Sequence, residues 1–199
     1  MPFSGTSWVQ LFPTSKSLAS LDPVFRQRVT NFLDALTTAG AHVTITATRR
    51  PRQRAYLMHY SWCIWKHWNG TTASSVPAFM PEAGEAPIDI QWVHKTPSGA
   101  PDNNASVQAA FAMAGAYEIT GLHVPPALNS NHIQGKALDM VISWHGTLSI
   151  KEKSGQTRTI TSTPRTGTNA DLIDVGKTYA VFHLINVMAD PPHWSINGH

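Results

Sequence analysis

DPVFRQRVTNFLDALTTAGAHVTITATRRP, residues 22–51, holds a helix and a strand in immediate succession. Asp22 followed by Pro23 is an N-cap with proline at the first helical position, and Phe25, Val29, Phe32, Leu33 and Leu36 recur at helical spacing until Gly40. Val43–Thr48 is β-branched and ends in Arg49-Arg50-Pro51, so the strand delivers two arginines to its end. A second helix, crowded with aromatics, is expected from about Arg52 to Trp68. An amphipathic helix feeding a short strand is the start of an α+β fold rather than of an all-helical bundle.

Working outward, residues 69–87 and 96–104 are rich in Gly, Thr, Ser, Pro and Ala and read as surface loops, with a short strand over Ile88–Trp92 between them. A helix is expected from about Ala105 to Tyr117, a strand from Ala137 to Ser143, and a hairpin from Ser149–Lys151 and Thr157–Ile160 around Ser154-Gly155. Thr168 or Asn169 caps a last helix whose face is Leu172, Val175, Tyr179, Phe182 and Ile185, ending before Pro191. With no repeat, low-complexity tract or long linker, residues 1–199 read as one α+β domain, a small mostly antiparallel sheet with helices packed on it.

The 199 residues are 42% hydrophobic and 14% charged, which excludes a disordered chain and a charge-rich coiled coil. A formal charge of +3 without a basic run does not make a nucleic-acid binder, although it suits an anionic polymer. A single cysteine, Cys63, sits among aromatics and reads as a packed thiol. Met1-Pro2-Phe3-Ser4-Gly5 has no basic segment leading into an apolar run, and no stretch is long and apolar enough for a membrane span. The expectation is a chain made in the cytoplasm without a signal peptide and without stable membrane insertion.

Among ten histidines, two stand apart by their neighbours. In Ser130-Asn131-His132-Ile133-Gln134-Gly135-Lys136-Ala137-Leu138-Asp139, the glycine lets the chain turn from loop into strand and bring His132 and Asp139 to one point. An imidazole and a carboxylate are good zinc ligands, and catalytic zinc takes three protein ligands and an open position. Asp190-Pro191-Pro192-His193-Trp194 supplies the third ligand, His193, with Asp190 as a carboxylate beside the metal on a stiff, extended spacer. The strand bearing Asp139 and the segment bearing His193 should then be neighbours in the sheet. Each feature also has an ordinary reading: Asp190-Pro191 as a helix start, Asp139 as a strand-end turn residue, His132 as a loop histidine, and His42, His59, His67, His123, His145 and His183 as surface or packed histidines.

The string Ser-x-His-x-x-Gly-x-Ala-x-Asp, complete at Ser130, His132, Gly135, Ala137 and Asp139, and the later carboxylate-x-x-His-Trp resemble the zinc D-alanyl-D-alanine carboxypeptidase and L-alanyl-D-glutamate endopeptidase family, within the lysostaphin, D-Ala-D-Ala peptidase and Hedgehog superfamily. The chain departs from many members in carrying Asp190 where they have Glu. Thr46-Ala47-Thr48-Arg49-Arg50-Pro51 looks like the family's arginine-bearing turn, without its Ser-Gly-Tyr part. The resemblance implies one Zn²⁺ per chain on His132, Asp139 and His193, Asp190 as general base, and Arg50, with Arg49 as the alternative, binding an oxyanion or a substrate carboxylate. It also assigns Ser130 and Trp194 to substrate binding; the residues alone favour a structural Ser130 and a Trp194 that walls the site.

The implied substrate is peptidoglycan, cut in the stem peptide at L-Ala-D-Glu, and the implied setting is a monomeric phage endolysin of Gram-negative hosts, with no separate cell-wall-binding domain, reaching periplasmic murein through a holin-type pore. The alternatives are a D-Ala-D-Ala carboxypeptidase or dipeptidase, a catalytically inactive zinc-containing cell-wall-binding module, and a structural phage or envelope protein.

Overall fold

A computed structural model describes residues 1–199. In chain order its helices are α1 (Pro23–Thr38), α2 (Arg52–Lys66), α3 (Asn103–Ala116) and α4 (Ala170–Thr178). Its strands are β1 (His42–Ala47), β2 (His94–Lys95), β3 (Pro101–Asp102), β4 (Ala137–Ser143), β5 (Leu148–Lys151), β6 (Thr157–Ile160), β7 (Phe182–His183) and β8 (His193–Ser195). This is the expected α+β class, and every pairing between named strands is antiparallel. No helix is long and apolar enough to cross a membrane. The sequence reads as one domain over 1–199; the residues group into two compact units, Met1–Pro13 with Pro51–Asn129, and Thr14–Arg50 with Ser130–His199.

The second unit carries a four-stranded sheet in the order β1-β4-β8-β7 and the separate β5-β6 ribbon. Helix α1 starts where its cap says: the Asp22 Oδ1 accepts the N–H groups of Val24 and Phe25 at 3.0 Å each, and Pro23 occupies the first turn. Its buried stripe, Phe25, Val29, Phe32 and Leu36, belongs to the same core as Met140 and Ile142 of β4, Leu172 and Val175 of α4, and Trp194 of β8. Deleting one of the wholly buried aromatics, Phe25 or Phe32, removes about 3–5 kcal/mol. The register of β1 on β4 shifts between Ile45 and Ala47, so Thr46 is an extra residue opposite Asp139. Bulges re-aim side chains at such points, and the Thr46 hydroxyl donates to the Asp139 carbonyl at 3.2 Å.

One expectation fails here. The last helix does not continue to Ile185. It ends at Thr178, where Ala180 adopts a left-handed φ of 54° and the Val181 N–H turns back to the Gly176 carbonyl at 3.1 Å. Phe182 and His183 then pair with Ser195 and Trp194 as strand β7. The asparagine cap itself is found, with Asn169 Oδ1 accepting the Leu172 N–H at 3.1 Å.

In the first unit, α2 and α3 share a core built from Tyr56, Leu57, Trp62, Ile64, Met113 and Tyr117 with Trp8 and Trp92. The strand expected over Ile88–Trp92 is absent: Gln91 makes one isolated bridge to Phe3, and the local ladder is β2 with β3 around the Thr96–Gly99 turn. With a proline at 87, the segment pairs only at Gln91, which bonds the Pro2 carbonyl and the Ser4 N–H on either side of Phe3. Asp102 caps α3 through the Ala105 N–H at 2.9 Å, so the helix begins at Asn103, two residues before the expected start. Cys63 is 2% exposed, and burial pushes its thiol up to about 11. The folded protein is therefore expected to leave an aromatic disulfide reagent unreacted at pH 8 while the unfolded chain reacts fully; rapid labelling of the folded protein would contradict the packed-thiol reading.

Candidate metal centre

All three expected ligands fall within the second unit. Asp139 and His193 face one another across the β4–β8 pair, as the sequence requires, and His132 comes from the loop before β4. His132 Nε2 lies 3.2 Å from Asp139 Oδ1 and 3.2 Å from His193 Nδ1, and His193 Nδ1 lies 3.3 Å from Asp139 Oδ1. Ligand atoms about 2.0–2.1 Å from a tetrahedral zinc ion stand about 3.3–3.4 Å apart, so this triangle has the size of one face of the coordination tetrahedron.

The hydrogen bonds on the far side of each ring fix the tautomers. His132 Nδ1 lies 2.6 Å from the Thr48 carbonyl oxygen, and His193 Nε2 lies 3.3 Å from the main-chain oxygen of His199. A carbonyl only accepts, so those nitrogens donate, which turns the unprotonated Nε2 of His132 and Nδ1 of His193 inward. Two lone pairs and a carboxylate oxygen converge where no N–H points. Such a set could hold a metal ion, and its nitrogen-and-oxygen chemistry fits Zn²⁺ among the candidates. Burial pushes the Asp139 carboxyl up, but the two imidazoles beside it, His132 and His193, outweigh this and hold the group well below the usual carboxylate range. For His193, burial pulls down, while Asp139, the His199 oxygen and Asp190 together pull up, and the net shift is upward.

The loop that delivers His132 depends on Gly135, whose φ is 68° and whose carbonyl accepts the Asp22 N–H at 2.9 Å. A Cβ there would stand 2.9 Å from the Asp22 nitrogen and 3.0 Å from the Ser20 oxygen, both main-chain atoms. Gly135→Ala is therefore expected to cost about 1–3 kcal/mol of stability from backbone strain alone, read as a lower urea midpoint. An unchanged midpoint would show that the loop relaxes without loss.

Asp190 is outside the ligand triangle, and its approach differs from the stiff, extended spacer expected. The His193 N–H donates to the Asp190 carbonyl at 3.0 Å, closing a turn over Asp190-Pro191-Pro192-His193, and Asp190 itself is exposed, near enough to the ligands for their charges to act on its carboxyl. Desolvation raises its carboxyl pKa, the charge of Asp139 adds to this, and His193, His132 and His183 oppose it. His183, expected to be an ordinary histidine, is buried and holds this turn: its Nε2 donates to the Pro191 carbonyl at 2.8 Å, and its ring stands edge-on to Trp194 at 4.8 Å.

Trp194 is corrected as a substrate-binding residue. It is wholly buried, points away from His193 by strand alternation, and packs on Phe32 with the rings 5.4 Å apart, so no substrate reaches it. Ser130 stays at the mouth of the loop, with its hydroxyl oxygen buried and without a hydrogen-bond partner. The Arg50 main-chain N–H donates to the His132 carbonyl at 3.1 Å, while the Arg49 Nε donates to the Ile133 carbonyl at 3.3 Å. Both arginines are thus tied to the ligand loop, one by its backbone and one by its side chain. His145 and His123 are exposed and outside the cluster.

No family model matches the chain, and no curated protein and no solved structure is significantly similar to it. The chemistry of the site is derived from its own residues.

Proposed function

We propose that this protein is a zinc peptidase acting on the stem peptides of bacterial peptidoglycan, cutting the L-Ala-D-Glu bond as a phage endolysin. One observation carries the chemistry: two imidazole lone pairs and a carboxylate oxygen form an acceptor-only triangle of zinc-face dimensions, with a second carboxylate, Asp190, near enough for their charges to act on it. The substrate class rests on the Ser130–Asp139 and Asp190–Trp194 motifs.

His132, Asp139 and His193 would hold the ion. When bound, zinc supplies Lewis acidity toward the scissile carbonyl and lowers the pKa of a coordinated water towards ~7. The Asp190 carboxylate accepts the proton of the attacking water and, as the acid, returns it to the leaving amine nitrogen; its raised pKa suits both halves of that exchange. Arg50 offers a planar fork to the substrate carboxylate or to the oxygen that gains charge.

A lytic enzyme must detach the cross-bridges from the glycan, which cleavage at L-Ala-D-Glu does and trimming of a terminal D-Ala does not. Purified murein digested with and without chelator, followed by mass analysis, tests the reading. Chelator-sensitive release of peptides that begin at D-Glu supports it. Release of D-Ala alone would make the protein a carboxypeptidase, zinc binding without cleavage a binding module, and neither a structural protein.

The arginine assignment has its own test. Arg50→Lys is expected to lose nearly as much murein hydrolysis as Arg50→Ala, with zinc content unchanged, because an ammonium keeps the charge and loses the fork. If only Arg49→Ala fails, the role belongs to Arg49; losses equivalent to less than about 0.5 kcal/mol in every variant would make both arginines ordinary surface groups.

A further inference from the structure

We propose that Asn197–His199, clasped by Asn131, is the positioning element that sets the metal-binding tautomer of His193. The proposal rests on the metal-centre reading above and is independent of which bond is cut. An imidazole can present either nitrogen inward, and the choice is made by whatever accepts from the other. For His132 that acceptor is the Thr48 carbonyl, one residue past the end of β1, where the Thr48 N–H and hydroxyl both donate to the Ser15 carbonyl. For His193 it is the main-chain oxygen of His199, in a segment outside any regular element, which must be fixed by other means.

Side chains do the fixing. The two N–H bonds of the Asn131 amide are both used on this segment, one to Asn197 Oδ1 at 2.7 Å and one to the His199 oxygen at 2.6 Å. Ser195 Oγ, wholly buried, accepts from the Gly198 N–H at 2.9 Å and the His199 N–H at 3.1 Å. The Gly198 carbonyl accepts the Ile185 N–H at 3.0 Å, and its φ of 76° bends the chain back over β8. Asn131 precedes His132 in sequence, so one loop both supplies a ligand and holds the group that orients another. Packing of this segment alone does not require that an Asn131 amide proton reach the same His199 oxygen that faces the His193 ring, with Ser195 Oγ holding the two N–H groups beside it.

Zinc affinity of the full chain, measured by competition with a chromophoric chelator, tests this without reference to peptidase activity. Asn131→Ala and the isosteric Asn131→Asp, which removes the donors, are each expected to bind zinc about 10–100-fold more weakly, the usual scale for an outer-sphere partner. The metal-free denaturation midpoint should stay at the wild-type value, and the exposed Asn104→Ala should be unaffected in both measurements. Should the variants fail to fold, nitrogen-15 NMR of the zinc-loaded wild type decides: His193 carries its proton on Nε2 if the clasp sets the tautomer. A proton on Nδ1, unchanged zinc affinity in both Asn131 variants, or a wild type that binds no zinc overturns the proposal. A wild type that binds zinc with the expected tautomer but leaves murein intact overturns the peptidase reading instead, and leaves the clasp standing.

Discussion

Replacing His132 with alanine is expected to take the zinc content of the dialysed protein from about one ion per chain to near zero and to abolish murein hydrolysis. The variant removes one corner of a triangle whose edges are 3.2–3.3 Å, and the two ligands that remain do not hold a catalytic ion firmly. It also leaves the Thr48 carbonyl without the N–H it accepts at 2.6 Å, so a modest loss of stability accompanies the loss of metal. His145→Ala, at an exposed position outside the cluster, is the matched control and should keep both zinc and activity. Full zinc occupancy in the His132 variant would move the metal elsewhere.

Asp190→Ala is expected to behave in the opposite way: zinc stays, while turnover falls by about a hundredfold or more, equivalent to about 2.7 kcal/mol in the barrier. The ligands are untouched, because the residue enters the site through a turn and contributes no atom to the triangle. Asp190→Asn should fail nearly as badly, since an amide keeps the shape but accepts no proton. Steady-state kinetics on murein fragments with parallel metal analysis would check both variants. Near-normal turnover in Asp190→Ala would place the base in another residue, and loss of zinc would make Asp190 a structural support for the ligands.

How far the sequence could be read depended on where each piece of information resides. The Asp22-Pro23 cap, the β-branched run before Arg49 and the β4 segment carry their structure in their own side chains, and the elements appear where those side chains put them. The pairing of Asp139 with His193 is also legible, because two candidate ligands of one ion would have to meet. The outer contacts were not. Thr48 and His199 act on the ligand rings through main-chain oxygens, which every residue possesses, so no residue type announces them.

The C-terminal stretch misled for a related reason. Tyr179 and Phe182 sit at helical spacing, but β7 exists because β8, ten residues later, offers it a partner, and local periodicity does not encode distant pairing. His183 was read as ordinary because a single histidine has no spacing to judge, and only the fold brings it to the Pro191 carbonyl. The turn at Asp190 was obscured by its own prolines, which suit an extended spacer and a turn alike.

X-ray absorption at the zinc edge of the loaded protein tests the central claim most directly. The triangle of His132, Asp139 and His193 predicts one zinc per chain in a four-coordinate shell of nitrogen and oxygen at about 2.0–2.1 Å, with outer-shell scattering from two imidazoles. A sulfur scatterer at about 2.3 Å, a shell without imidazole, or a protein that takes up no zinc would contradict it.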